Sequence, residues 1–304
     1  MKISVEKNNI FKSLSHVQSI VEKKNTIPIL SNILIEAQNN NITLSATDMD
    51  LSITEKLTCN VIEEGSTTVP AHTLHDIIRK IPDGNEIEFI SNDGKMFSIR
   101  SGKSRFSLAC LPKEDFPIIE IGDLNLELNI DSQIFLKLIE KTRFAISNEE
   151  TRYFLNGIYF HKKNLENRQL LSLVATDGHR LAKIDFDYKQ DLPEMPGTII
   201  PRKTINELSK LLADFNGTLK INLDANKIIF FIDKSILISK LIDGNFPDYQ
   251  KVIPKNNDNI LLVNRSELVM AVDRVSTITN ERAPAIKFKL LKNIMNMTSA
   301  DNGK

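Results

Sequence analysis

The chain is 304 residues long, 41% hydrophobic and 26% charged, with 39 Lys and Arg balancing 39 Asp and Glu. That length suits two or three domains with sizeable cores, and the zero net charge excludes a simple polybasic nucleic-acid binder while allowing charge segregated onto faces. No apolar run is long enough for a membrane span, the N-terminus lacks a signal-peptide core, and Cys59 and Cys110 form no CxxC pair, as expected for a cytoplasmic protein without disulfides, metal or cofactor.

In chain order, MKISVE reads as a short strand and 6–24 as a helix with Ile10, Leu14, Val17 and Val21 on one stripe. Alternating strands follow in NILIEA, ITLSAT and LSITEKL. A second helix over 72–82 is closed by Pro82-Asp83-Gly84. Three strands come next, with hairpin turns at Asn92-Asp93-Gly94 and Ser101-Gly102-Lys103. The pattern then restarts. LELNI is a strand, Asn129-Ile130-Asp131-Ser132 signals the start of a helix over 132–147, and another helix covers 202–212. A third start has a strand in NILLVN (259–264), a helix over 265–275 signalled by Ser266, and strands in AIKFKL (285–290) and MTSADNGK (297–304). Each unit therefore predicts an α+β layer, with helices on one face of antiparallel sheets.

These restarts are copies. Ala-Thr-Asp recurs at 46–48 and 175–177, LSNILI (30–35) matches LNGIYF (155–160), and VPAHTLHDIIRKI (69–81) matches IPRKTINELSKLL (200–212). Phe116-Pro117 matches Phe246-Pro247, so the anchors keep one order and a period of roughly 130 residues. The expected domains are 1–122, 123–252 and an incomplete third over 253–304, in which Ala300-Asp301 stands where the Ala-Thr-Asp strand should be. A partial copy cannot bury its own apolar face.

Charge is distributed unevenly. The five predicted helices hold fourteen basic and seven acidic residues, so the rest of this neutral chain is net acidic. Helices use Lys and Arg as good solvated formers, which is one reading. The other is a helix layer that faces a polyanion while the sheets repel it. Few aromatic residues interleave the basic positions, which favours sequence-independent phosphate contact over base readout.

The segment LVATDGHRLAK (173–183) places Asp177, His179 and Arg180 around Gly178 and raises a catalytic reading, a hydrolase using Asp177 and His179. The first copy argues against it. There Asp48 is followed by Met49 and Asp50 with no histidine, so the Asp is expected to cap a turn. No motif fixes a nucleophile, and no metal spacing involves His16, His72, His75, His161 or His179. No catalytic residue is assigned.

The segments KNTIPILSNILIEA, TTVPAHTLHDIIRKIP, SGKSRFSLACLPKEDFP, RYFLNGIYF, VATDGHRLA, IIPRKTINEL and SKLIDGNFPDYQKVIPKN together resemble the bacterial sliding clamp, the beta subunit of the replicative DNA polymerase, across the whole chain. The resemblance implies three similar domains per subunit in a head-to-tail dimeric ring, helices lining a hole for duplex DNA, sheets outside, and no chemistry of its own. A separate ATP-driven loader would open the ring, consistent with the lack of GxxxxGK[ST] here.

Carried over by position, the resemblance implies a pocket for short linear peptides of the replicative polymerase and the clamp loader at Leu155, Thr176, Gly178, His179, Arg180, Leu181, Pro247 and Val252. It implies double-stranded DNA contacts, independent of sequence, at Lys24, Tyr153, Phe154, Arg202 and Lys203. It implies a homodimer, given a complete third domain, through Ile78, Arg105, Phe106 and Leu108 on one side and Ile278 on the other. The edge strands and tail expected later in the third domain are not in this sequence, so ring closure is expected to be poor. A peptide-binding adaptor that does not encircle DNA is the alternative.

Overall fold

The computed structural model describes residues 1–92, 95–122, 126–165, 168–188, 192–279 and 285–299. The chain divides into two compact units, Met1–Pro247 and Asp248–Lys304. Asp93 and Gly94 of the first predicted hairpin turn, and Ala300-Asp301, lie outside the described residues. Among those described, no helix is long and apolar enough to cross a membrane.

The first repeat runs β1 (Lys2–Glu6), α1 (Lys7–Ile20), β2 (Asn32–Gln38), β3 (Asn41–Thr47), β4 (Leu51–Thr58), β5 (Asn60–Glu63), β6 (Gly65–Pro70), α2 (Ala71–Lys80), β7 (Glu86–Ser91), β8 (Met96–Ser101) and β9 (Ser104–Ala109). The second runs β10 (Leu126–Asp131), α3 (Ser132–Glu140), β11 (Gly157–Leu165), β12 (Arg168–Thr176), β13 (Leu181–Asp187), β14 (Thr198–Pro201), α4 (Arg202–Ala213), β15 (Thr218–Leu223), β16 (Lys227–Ile232) and β17 (Ser235–Lys240). Apart from β5, each element of one repeat has its counterpart in the other.

The helices form where the apolar stripe calls for them. Ile10, Leu14, Val17 and Val21 of the first are buried as predicted, and α1 ends when the Val21 amide turns back to the Gln18 carbonyl at 3.1 Å. The Asp131 carboxylate caps α3, accepting the Gln133 and Ile134 amides at 3.0 and 2.9 Å. The helix is shorter than predicted. It stops at Glu140 because the Thr142 hydroxyl takes the Leu138 and Ile139 carbonyls, and a 3-10 turn follows at Arg143–Ala145. In the core of the second repeat, Phe135 meets Phe160 edge-on at 6.0 Å and Phe230 at 6.4 Å.

One strand pair joins the repeats. β17 pairs antiparallel with β4, Ile236 opposite Thr54 and Ile238 opposite Ser52. This fuses half of each repeat into an eight-stranded sheet, ordered β10-β15-β16-β17-β4-β3-β2-β6. The continuous sheet crosses the expected boundary at 122/123. On the helical side α1 packs against both α2 and α4, and α4 against α3, so the four helices stand in one row. The remaining sheets, β5-β1-β7-β8-β9 and β13-β12-β11-β14, end in the edge strands β9 and β13. β9 is the counterpart of β17, and β13 of β4.

The unit from Asp248 holds a 3-10 turn at Tyr249–Lys251, helix α5 (Arg265–Ser276) and the hairpin β18 (Lys287–Leu291) with β19 (Ile294–Thr298). Two expectations are corrected here. The cap of α5 is Asn264, two residues before Ser266, accepting the Ser266 and Glu267 amides at 2.9 and 3.2 Å. Residues 259–264 are not a strand, and Ile260, Leu261 and Leu262 are exposed. The reason is pairing. β1 is held by β7, and β10 by β15, whereas 259–264 pairs with no strand among the described residues. An isolated strand leaves its backbone groups to water.

Candidate functional site

The segment around Asp177 is a turn built by its own side chains. Thr176 Oγ1 donates to the Arg180 carbonyl at 2.7 Å and accepts the Gly178 amide at 3.1 Å. Asp177 Oδ1 accepts the His179 and Arg180 amides, both at 2.9 Å, and Oδ2 accepts Arg180 Nε at 2.9 Å. The first repeat builds the same turn. Thr47 Oγ1 donates to the Leu51 carbonyl at 3.0 Å and accepts the Met49 amide at 3.0 Å, while Asp48 Oδ1 accepts the Asp50 and Leu51 amides at 2.9 and 2.7 Å. Gly178 and Met49 occupy the same left-handed position, φ 88° and 79°.

This geometry answers the catalytic question. Asp177 binds the backbone amide of His179, so it does not orient a base. Burial raises the Asp177 pKa, but the Arg180 and His179 amides and the Arg180 guanidinium outweigh it and hold the group at about 2. A lowered carboxylate stabilises the fold fully above its ordinary value of 3.8 and loses that contribution as pH falls towards 2. Asp177→Asn is therefore expected to cost roughly 1–2 kcal/mol at neutral pH. Thermal melts across the acid range should show the variant and parent converging between pH 4 and 2; a constant gap would refute the assignment.

The other residues expected in the pocket differ in exposure. Leu155 is buried at the end of a 3-10 segment, Glu150–Leu155, and its carbonyl accepts the Ser147 amide at 3.1 Å. Thr176 is buried, Leu181 is half-buried, and Gly178, His179 and Arg180 are exposed. Arg180 lies 5.7 Å from the centre of the Phe144 ring, which is itself exposed. Pro247 and Val252 are exposed and fall in different units.

The sequence reading missed Arg152. Its guanidinium is paired with Glu149, Nε to Oε2 at 2.8 Å, and covers Gly178 so closely that a Cβ there would collide with it. Only the left-handed Gly of the turn hinted at a close neighbour. The hydrogen bonds from Arg152 lower the Glu149 pKa below the ordinary carboxylate range.

On the helix row, several cations are already matched. Lys12 pairs with Asp214 at 3.2 Å, Arg79 with Asp76 at 2.9 Å and Lys210 with Glu207 at 2.8 Å. The Lys203 ammonium contacts Asp48 Oδ2 at 2.5 Å and Glu22 Oε1 at 3.0 Å. Burial works against its charge, but those two carboxylates raise its pKa above the ordinary lysine value. The side chains of Lys24, Lys80, Lys137, Lys141 and Arg202 have no partner among the described residues. Tyr153 is exposed and meets the half-buried Phe154 edge-on at 5.9 Å.

At the edge strand β9, Arg105 and Phe106 are exposed and Leu108 is half-buried. Ile278 is exposed. Ile78, expected beside them, is fully buried on the inward side of α2 and offers no surface, because its helical stripe belongs to the core. No group of three or more metal-ligating side chains occurs among the described residues.

Residues 1–120 match the family DNA polymerase III beta subunit, N-terminal domain; 129–248 match its central domain and 250–304 its C-terminal domain. The chain is 43% identical over 288 residues to the beta sliding clamp of Caulobacter vibrioides, covering 94% of this chain and 77% of that protein. It is 34% identical over 300 residues to that of Escherichia coli K12, covering 98% and 80%. A sliding clamp from Bartonella birtlesii, solved bound to griselimycin, superimposes with a TM-score of 0.93 at 45% identity, covering 98% of this chain and 84% of that one. The chain belongs to the family of DNA polymerase III beta sliding clamps, non-catalytic accessory subunits that act as processivity factors.

Proposed function

We propose that the helix row of this chain faces duplex DNA, and that the Thr-Asp turn of the second repeat receives short peptides of partner proteins. The observation that supports it most is the joint. β17 and β4 lock two repeats edge to edge, which leaves the helices side by side with uncompensated cations among them. Repeating that joint is a head-to-tail operation that closes into a ring when the rotation allows. β9 and β13 are its two unused halves at the sheet edges. Arg105, Phe106 and Leu108 on β9 would then meet a second subunit, with Ile278 on the opposing side, in a homodimer. The domains are taken as 1–122, 123–252 and 253–304.

A ring needs no tight grip on DNA. Weak contacts from Lys24 and Arg202, with the exposed Tyr153 and neighbouring Phe154, hold the duplex without stopping it from sliding. Peptides of the replicative polymerase and of the clamp loader would dock on Leu155, Thr176, Gly178, His179, Arg180, Leu181 and Pro247. The apolar members supply a floor, and Arg180 or His179 bonds peptide carbonyls or a carboxylate. A docked polymerase gains the effective concentration of the tether. The compartment is the cytoplasm, where replication proteins of bacteria work.

Salt dependence tests the DNA face. Each phosphate contact contributes about 0.9 to the slope of log affinity against log salt. Arg202→Gln is expected to flatten that slope by about one contact on a short duplex of any sequence. An unchanged slope would remove Arg202 from the DNA face.

A further inference from the structure

The two Thr-Asp turns differ in one atom's partner. In the second repeat, Asp177 Oδ2 is satisfied within the turn by Arg180 Nε. The position that corresponds to Arg180 in the first repeat is Leu51, whose carbonyl closes the turn as Arg180's does. Leu51 has no cation to offer, so Asp48 Oδ2 is left open by its own repeat. It is filled by Lys203, which arrives from the second repeat. The corresponding position of α2 in the first repeat is His72, so this lysine has no counterpart there.

Its setting is consistent with a joint. Lys203 lies in the first turn of α4, whose Pro201 cap contributes no side-chain bond and whose first turn has no acid. Two cations, Arg202 and Lys203, therefore sit at the positive end of the helix dipole, where negative charge is wanted. Asp48 and Glu22 supply it from the first repeat. The Asp48 side chain is 11% exposed and that of Glu22 56%, so Asp48 carries most of the interaction and Glu22 is largely screened. Swinging Lys203 out to a phosphate would strand the Asp48 oxygen without its partner, a costly exchange for a weak contact. Other pairs cross the same seam. Lys240 reaches Asp50 at 3.0 Å, Lys12 reaches Asp214, and Ser19 donates to Glu207.

We propose that Lys203 is a positioning residue of the joint between the repeats, the cation that completes the first repeat's Thr-Asp turn, rather than one of the phosphate contacts of the helix row. It fixes the start of α4 against the end of α1 and leaves Arg202 as the free cation at that helix start. This deepens the DNA-facing reading and depends on it only for the DNA half of the test.

The test uses the full 304-residue chain with Lys203→Met, Asp48→Asn, the double variant, Lys203→Arg and the milder Glu22→Gln. Stability is read by thermal melts, and DNA affinity by titrating a short labelled duplex across a salt series. The two single changes should each lower the melting temperature, the double no further than the worse single, with Lys203→Arg recovering most of the loss. Glu22→Gln should lower it less than Asp48→Asn. Lys203→Met should leave the salt slope of the parent unchanged, while Asp48→Asn should steepen it, because the freed ammonium becomes a phosphate contact. Additive stability losses, or a slope shallower by about 0.9 in Lys203→Met, would overturn the proposal. If the parent shows no DNA affinity at low salt, the DNA-facing reading falls, and the stability cycle alone decides the joint.

Discussion

Replacing Phe135 by Ala is expected to cost about 3–5 kcal/mol of stability, the range for deleting a fully buried aromatic ring. Phe135 is 0% exposed and stands on α3 between Phe160 of β11 and Phe230 of β16. Those strands belong to the two separate sheets of the second repeat, so the ring ties α3, the sheet of β11 and the joint sheet together. Its loss leaves a cavity that rigid strands on two sides cannot close, and two aromatic pairs go with it. For a unit of this size the melting temperature should fall on the order of 10 °C. Urea denaturation followed by fluorescence or circular dichroism measures it. A loss below about 1 kcal/mol would mean that the site collapses freely and that the two sheets do not share this core.

Leu181→Asp is expected to weaken binding of a peptide carrying adjacent Leu and Phe by at least ~100-fold, or about 2.8 kcal/mol. Leu181 pairs with Thr176 immediately after the turn and is half-buried. A carboxylate there would have to be desolvated beneath the apolar side chain of the peptide, beside the ionised Asp177, where like charge raises the penalty. The substitution should spare the fold, because β13 lies at a sheet edge and Leu181 retains contact with water. Leu181→Met should keep most of the affinity. Fluorescence polarisation with the labelled peptide decides between a peptide site and a purely structural turn, for which Leu181→Asp would bind no worse than the parent.

Much of this molecule was legible in the sequence because the signals are local or periodic. The stripe Ile10, Leu14, Val17 and Val21 is a helix face whatever it packs on. Asp131 caps α3 through bonds to residues two and three positions ahead. The Thr-Asp turns close within five residues, so their recurrence predicted the same structure twice, and finding the turn without a histidine in the first repeat was enough to argue against catalysis. Where the sequence erred locally, the competing bond was short-ranged but not the obvious one: Asn264 took the cap from Ser266.

Only the tertiary structure decided the rest, because the partners lie far apart along the chain. Pairing of β17 with β4 cannot be read from either strand, since each alternates in the same way as its neighbours. Whether 259–264 becomes a strand depends on a partner and not on its own apolar run. Arg152 looked like any surface cation until it lay over Gly178. Ile78 looked like an edge residue until α2 turned it inward. Lys203 and Asp48 are separated by 155 positions, and no periodicity relates them. A charge is defined by its residue type, but its role is defined by the oppositely charged group the fold brings within about 3 Å, and that distance exists only in three dimensions.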